Sequence, residues 1–361
     1  MSDLYVGLMS GTSVDALDIA LCRFHPQFEI VAAADYLFQD ALRQRINQAC
    51  LDRPMHLDEL LQLEQDYTEF CAASVGKFLD EHAEEREHIR AIGFHGQTLR
   101  HRPDIGTTLQ MANPSLLAEH TGIDVIADFR RRDLAADGEG APLVPAFHQY
   151  LTAQMQRPLG ILNLGGIANL SLFSEDDKVE GFDTGPANTL LDQWIGLNLH
   201  RTYDENGSWA ATGVVNESLL RTLLQEPYFA KPAPKSTGRE LFNMAWLEVA
   251  LAQQPILEPQ DVQRTLVELT AVTVAQSLRQ PPPKLIVCGG GASNSLLMSR
   301  LSAHLPQTEV YSSDTLGWPA SHIEAAAFAW LAMCHVKRDA GNLPSTTGAR
   351  GPRVLGALYP G

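Results

Sequence analysis

Few residues in this chain have the type and setting to do chemistry. Asp183 lies in Gly181-Phe182-Asp183-Thr184-Gly185-Pro186, where the pattern predicts a strand ending and a helix beginning. Strand ends are where α/β folds bind ligands. A carboxylate there can orient and deprotonate a hydroxyl or a water. A helix cap or a turn aspartate is the plain alternative. Glu324 is one charge on an otherwise apolar helix predicted from Ile323 to Val336, and such a charge is paired or functional. His95, Gln97, Arg100 and His101 form a polar stretch expected to be a loop. Its spacing matches no zinc pattern, so it is read as hydrogen-bonding a sugar or as merely solvated. Arg130 and Arg132 are expected in an extended segment, projecting to one side with Arg131 on the other. Such a pair suits a carboxylate or phosphate, or salt bridges to Asp128 and Asp133.

Three small, glycine-bearing turns could hold an anion. Ser10, Gly11, Thr12, Ser13, Val14 and Asp15 join two apolar strands, and Ala16, Leu17 and Asp18 open the second of these. Successive N–H groups and hydroxyls in such a turn can converge on a phosphate. No Gly-Lys-Ser/Thr follows, so this is not a P-loop. An ordinary hairpin uses the same residues. Gly165-Gly166 sits in a second strand-turn-strand unit, and Gly289-Gly290-Gly291 stands between a strand and a helix. Three glycines there permit close approach of a flat or anionic ligand, or simply a tight crossing. Lys235-Ser236-Thr237-Gly238-Arg239-Glu240 is read as a polar ligand-side loop or only a surface one, before a helix at Leu241.

The elements that carry these residues follow from periodicity. Leu4–Met9 is a buried-strand run, and Leu17, Ile19 and Leu21 alternate at strand period. A strand over 30–38, a long helix from Leu57 and a strand over 89–94 come next. Asn113-Pro114 opens a helix that Gly122 ends, followed by a strand over 123–127. The Gly/Pro-rich segment from Asp128 suggests a boundary between domains 1–128 and 129–361. The second half begins with another β-meander, 159–182, so the two halves share a topology but not residues. Helices are predicted over 188–199, 216–224 and 261–278, with a strand over 285–288. The fold class is α/β, with two domains and mixed sheets.

A net charge of −16 argues against a nucleic-acid partner. No apolar run reaches the length of a membrane span, and the first residues lack a basic leader. Five scattered cysteines, Cys22, Cys50, Cys71, Cys288 and Cys334, are expected to be reduced core residues of a cytoplasmic protein.

Taken together these stretches resemble the sugar kinase, actin and heat-shock chaperone superfamily. More specifically, the chain resembles the anhydro-N-acetylmuramic acid kinase family. The resemblance rests on Gly-Leu-Met-Ser-Gly-Thr-Ser from Gly7, His-Gly-Gln-Thr at His95, Ala-Asp-Phe-Arg at Ala127 and Gly-Ala-Pro-Leu-Val-Pro at Gly140. It continues through Leu-Asn-Leu-Gly-Gly-Ile-Ala-Asn at Leu162, Gly-Phe-Asp-Thr-Gly-Pro at Gly181, Lys-Ser-Thr-Gly-Arg-Glu at Lys235 and Cys-Gly-Gly-Gly-Ala at Cys288. The chain departs from the pattern at Ala16 and Ala187, where glycine is usual, and at Asp137 and Glu139, where glycine and glutamine are expected.

The resemblance implies two duplicated actin-like ATPase domains around a central cleft. It also implies an ATP-dependent reaction that opens the 1,6-anhydro bond with water and phosphorylates the freed 6-oxygen. Asp183 would be the base. Residues 10–18 and the Gly165-Gly166 turn would hold phosphates, and glycines 289–291 would face adenosine. His95, Gln97, Arg130, Arg132 and Glu324 would contact the sugar, with the arginines on its lactyl carboxylate. Mg²⁺ would accompany ATP, held through water by Asp15 or Asp18. The expected partners are the amino sugar and ATP, with a homodimer left open.

Overall fold

The computed structural model describes residues 3–11, 14–51, 54–233 and 235–361, so Thr12 and Ser13, expected at the phosphates, lie outside the described residues. The chain forms two compact units, Met1–Ala153 with His322–Gly361, and Gln154–Ser321. The division expected at Asp128 is therefore corrected. Residues 129–153 stay with the first unit, and the chain returns to that unit at His322. The return is driven by burial, because the helix Ile323–Lys337 covers the first sheet.

The first unit is built on β1 (Leu4–Met9), β2 (Ala16–Arg23), β3 (Glu29–Leu37), β4 (Ile89–Phe94), β7 (Val125–Ala127) and β13 (Ala357–Tyr359). The strand order is β13-β7-β4-β1-β2-β3. β1, β2 and β3 form an antiparallel meander, and β4 and β7 extend it in parallel. The stretch expected to be a polar loop is mostly strand. β5 (Gln97–Arg102) pairs with β6 (Thr107–Met111), and only His95 and Gly96 separate β5 from β4. The helix Leu57–Glu81 buries Leu63, Tyr67, Cys71, Val75 and Phe78 beneath the sheet. Asn113 caps the helix Pro114–Thr121 by accepting from Leu116 N at 3.1 Å, and Gly122 ends it at φ 64°.

The helix Ile323–Lys337 is apolar nearly all round, which requires burial on every side. It reaches the sheet over two glycines. Gly7 and Gly93 are register partners on β1 and β4. A Cβ on Gly7 would overlap the carbonyl oxygen of Ala325, and one on Gly93 that of Phe328. Helix backbone thus lies directly on strand backbone, with no side-chain layer between them. On the helix's other flank, Trp330 meets Phe147 and Tyr150, with ring centroids 5.9 and 6.0 Å away.

The second unit repeats the plan with β8 (Leu159–Leu164), β9 (Ile167–Phe173), β10 (Val179–Pro186), β11 (Lys284–Cys288) and β12 (Glu309–Ser312). Its order is β10-β9-β8-β11-β12. Again a three-stranded antiparallel meander is extended by two parallel strands. The duplication seen in the sequence is therefore a duplication of sheet topology. The helices Pro259–Ser277 and Ser295–His304 are braced by Glu268, which accepts from Arg300 Nε at 2.7 Å and Nη2 at 2.8 Å. Four of the cysteines are buried as expected, but Cys50 is exposed at the end of its helix.

Candidate active site

Asp183 lies inside β10, at a bulge between Asp183 and Gly185, and not at a helix start. The following helix, Asn188–Leu199, has Ala187 at its N-cap, so capping does not explain the aspartate. Its side chain turns instead to the 235–237 loop. Asp183 Oδ2 accepts from Ser236 Oγ and from Thr237 N, both at 2.9 Å. Its backbone is tied there too, with its N–H donating to Lys235 O at 3.0 Å and its carbonyl accepting from Tyr228 Oη at 2.8 Å. No described residue donates to Oδ1. Burial pushes the carboxyl up to about 6, and Glu240 adds to the rise. The bonds from Thr237 and Ser236, and then Lys235, hold it down. A carboxylate ionised near neutral pH with one oxygen unengaged is suited to general-base work. The Lys235–Glu240 stretch, expected as a polar or merely surface loop, thus supplies the donors that hold this carboxylate.

The Gly165-Gly166 turn is fastened to the same region. Gly166 O accepts from Ala187 N at 3.0 Å and Thr189 N at 3.1 Å, and Gly165 O accepts from Asn188 N at 3.1 Å. Asn188 Nδ2 donates to Leu164 O at 2.9 Å. The first N–H groups of this helix are thus engaged by the turn. The Gly289–Gly291 run divides in two. Gly289 has φ 81°, and a Cβ on it would lie 2.7 Å from the Leu164 carbonyl; one on Gly291 would lie 2.6 Å from Leu164 Cβ. These two glycines permit the tight crossing over β8. Only Gly290 is open, with nothing nearer its Cβ position than Asn188 Nδ2 at 3.9 Å.

In the first unit, the turn after β1 is held from behind. Ser10 Oγ donates to Gln97 Oε1 at 2.6 Å, so Tyr67 Oη, 3.1 Å away, donates to Ser10. Gln97 Nε2 reaches Gly11 O at 3.4 Å. Gln97 is only 1% exposed, so this expected sugar contact instead supports the Ser10–Gly11 turn. Val14 N closes the turn on Gly11 O at 3.2 Å, with Val14 at φ 55°. A β-branched residue there stores strain of order 1–3 kcal/mol. The side chains of Val14 and Leu17 are core, so any ligand contact from them is through backbone. Asp15 is exposed. Asp18 stands opposite Asp35 on β3, and burial followed by Asp35, Glu324 and Asp15 pushes its carboxyl up to about 8. His322 Nε2 lies 2.8 Å from Asp35 Oδ1, fixing the start of the returning helix beside this cluster.

His95 and Arg130 meet. Arg130 Nε and Nη2 donate to His95 Nε2 at 3.1 and 3.0 Å, and Nη1 donates to Gly140 O at 2.9 Å. Burial, then Arg130, hold the His95 imidazole well below its ordinary range, so it is neutral at physiological pH. Glu324 faces Arg130 and Asp18 electrostatically. Fully buried Asp133 anchors the loop behind Arg130. Its Oδ2 accepts from Gly140 N at 2.8 Å, and its Oδ1 accepts from Asn342 Nδ2 at 2.6 Å and Thr347 Oγ1 at 2.8 Å. The expected Arg130–Arg132 pair is not formed. Residues Arg131–Leu134 are a helical turn rather than an extended segment, so positions two apart point to opposite sides, and Arg132 is exposed. Asp137 adopts φ 62° and pairs with Arg350 at 2.8 Å; the left-handed backbone accounts for the glycine expected there.

The model of the family described as anhydro-N-acetylmuramic acid kinase matches residues 3–361. The chain belongs to that family. It is 49% identical over 360 residues to the anhydro-N-acetylmuramic acid kinase of Pseudomonas putida, covering 99% of both chains. It is 47% identical over 363 residues to that of Pasteurella multocida, covering 99% of this chain and 96% of that one. Component A of the (R)-2-hydroxyglutaryl-CoA dehydratase of Acidaminococcus fermentans shares the fold with TM-score 0.50 at 11% identity, over 91% of this chain and 96% of that chain. The fold is the duplicated actin-like ATPase α/β fold, and the family is one of ATP-dependent phosphotransferases acting on an amino sugar.

Proposed function

We propose that this chain opens 1,6-anhydro-N-acetylmuramic acid with water and transfers the γ-phosphoryl group of ATP to the freed 6-oxygen, in recycling of cell-wall sugars. The observation that carries this reading is the Asp183 carboxylate, held through Oδ2 alone in a chain matched to the kinase family from residue 3 to 361. Asp183 Oδ1 takes a proton from the water that attacks the anomeric carbon, as in inverting sugar hydrolysis. The bond from that carbon to O6 breaks. O6 then attacks the γ-phosphorus, and ADP leaves. Phosphoryl transfer needs mainly positioning and charge stabilisation. The Ser10–Asp18 turn and the Gly165-Gly166 turn hold the phosphates, and Gly290 is where adenosine approaches the backbone.

Magnesium fits the donor set. No group of three or more His, Cys, Asp or Glu residues among the described residues could hold a metal alone. Magnesium, however, is bound mostly by phosphates and water, with one or two carboxylates. Asp15 and Asp18 are hard oxygen donors, and the crowding of carboxylates around Asp18 favours a nearby cation. Bound there, the ion supplies neutralisation of phosphate charge.

His95, Arg130 and Glu324 bind the sugar, Arg130 at the lactyl carboxylate. Gln97 acts through the turn it supports. Arg132 was a joint candidate for that carboxylate, and the two arginines now separate. Arg130→Ala is expected to raise the sugar KM about 10- to 100-fold, the loss of a charge-assisted bond worth roughly 1.5–3 kcal/mol. Arg132→Ala is expected to leave it within about twofold, and neither should alter the KM for ATP. Equal effects from both would return the carboxylate to the pair.

Among the described residues no helix is long and apolar enough to cross a membrane, and we place the reaction in the cytoplasm with an amino sugar and ATP as partners. The decisive experiment uses anhydro-N-acetylmuramic acid and MgATP in ¹⁸O-water. One label at the anomeric oxygen, beyond that gained by product incubated alone, with none in the phosphate, is expected. A phosphorylated product whose anhydro bridge is intact would overturn the reading and favour a simple sugar kinase.

A further inference from the structure

The Lys235–Thr237 loop does more than border the site. Lys235 Nζ donates to Tyr228 O at 3.3 Å and Phe229 O at 3.2 Å, and lies 4.8 Å from the Tyr228 ring centroid. These contacts staple the loop's base, and its charge also favours the ionised Asp183 carboxyl. At the far end, Leu241 N and Phe242 N both donate to Gly238 O, at 3.2 and 3.1 Å. Phe242 is fully buried, with ring centroids 5.5 Å from Phe229 and 5.2 Å from Trp246. Between these two anchors, Ser236 Oγ and Thr237 N are left facing a single atom, Asp183 Oδ2.

We infer that Ser236 and the Thr237 backbone N–H are positioning groups that hold Asp183 by Oδ2, present Oδ1 to the attacking water, and set the pH at which the base works. The inference rests on Asp183 being the base. Two donors to one carboxylate oxygen favour the ionised form. They also stop the carboxylate rotating, so the same oxygen always receives the proton. The opposing influences are burial and Glu240, both of which favour the protonated form. The two donors, together with the Lys235 charge, thus keep the base ionised at neutral pH despite its setting. The Thr237 contact is made by backbone, so Ser236 is the side chain that can be removed. It is exposed, and its loss leaves no buried group unpaired.

The test is the pH profile of kcat/KM for the sugar in Ser236→Ala. Removing one donor to the charged form is expected to move the acid limb up by about one pH unit, from the cost of a charge-assisted bond. Activity then falls about fivefold at pH 6, approaches a tenfold loss at lower pH, and returns towards wild type at pH 9. Ser236→Thr, which keeps the hydroxyl, should restore the wild-type limb. A loop that serves only as structure would lower turnover by one factor at every pH, with the limb unmoved and no rescue by threonine; that result refutes the inference. Asp183→Asn separates this failure from a failure of the base itself. If it is inactive while the Ser236→Ala limb stays put, only the positioning role falls. If it keeps near-wild-type turnover, the base assignment falls.

Discussion

Asp183→Asn should fold, bind ATP, and lose turnover by about 10²- to 10⁴-fold, the usual worth of general-base help. The amide oxygen can still accept from Ser236 Oγ and Thr237 N, so the loop geometry is preserved. What it cannot do is take a proton. Water is a poor nucleophile, and in this scheme O6 becomes an acceptor only as the anhydro bond breaks. Cleavage and phosphorylation should therefore stop together. The wild-type acid limb follows from the same carboxyl. Its pKa, raised to about 6, means that activity is present above pH 6 and lost as pH falls through it. The measurements are steady-state turnover of both products, nucleotide binding and thermal unfolding. An Asn variant that binds ATP and turns over near the wild-type rate would remove Asp183 from the chemistry.

Gly7→Ala is expected to cost about 3 kcal/mol or more, the upper range for overpacking, because the atom it meets is backbone and cannot rotate away. The added methyl would overlap Ala325 O and come 2.6 Å from Ala329 N. The helix Ile323–Lys337 must then lift from β1, carrying Glu324 with it, so sugar affinity should fall as well. Gly76→Ala provides the contrast. Gly76 lies within the helix Leu57–Glu81 with nothing within 4 Å of its Cβ position. There the same substitution should stabilise by about 0.5–1 kcal/mol, through helix propensity alone. Denaturant midpoints for the two variants decide the matter. Similar small changes in both would mean that the helix does not lie on the glycine pair.

Much of this was legible in the chain because it depends on local signals. The alternation of Leu17, Ile19 and Leu21, the Asn113-Pro114 start and the Gly122 stop each act within a few residues, and each element forms where its signal stands. The duplicated meander was readable for the same reason. Asp183 was conspicuous as a carboxylate in Gly-Phe-Asp-Thr-Gly-Pro, at a predicted strand end. What was not legible depends on distant partners. Nothing near Arg130 announces that residues 131–134 wind into a helical turn and send Arg132 outward. Gln97 looks like a free polar group until Ser10, 87 residues away, is found against it. The role of Ser236 depends on a strand 53 residues earlier. The domain boundary was misread because composition marks a polar segment at Asp128, whereas packing brings the last segment back to the first sheet.

That return sets an order of events during synthesis. Gln154–Ser321 is one continuous stretch, and it can complete its own core as soon as it leaves the ribosome. The earlier segment cannot. Its sheet must wait, with the strip at Gly7 and Gly93 uncovered and the β7 edge unpaired, until His322–Gly361 has been made. The N-terminal unit of the protein is therefore the last to finish, and a nascent chain stalled before His322 exposes an apolar sheet face and an open strand edge, the two features most prone to aggregation.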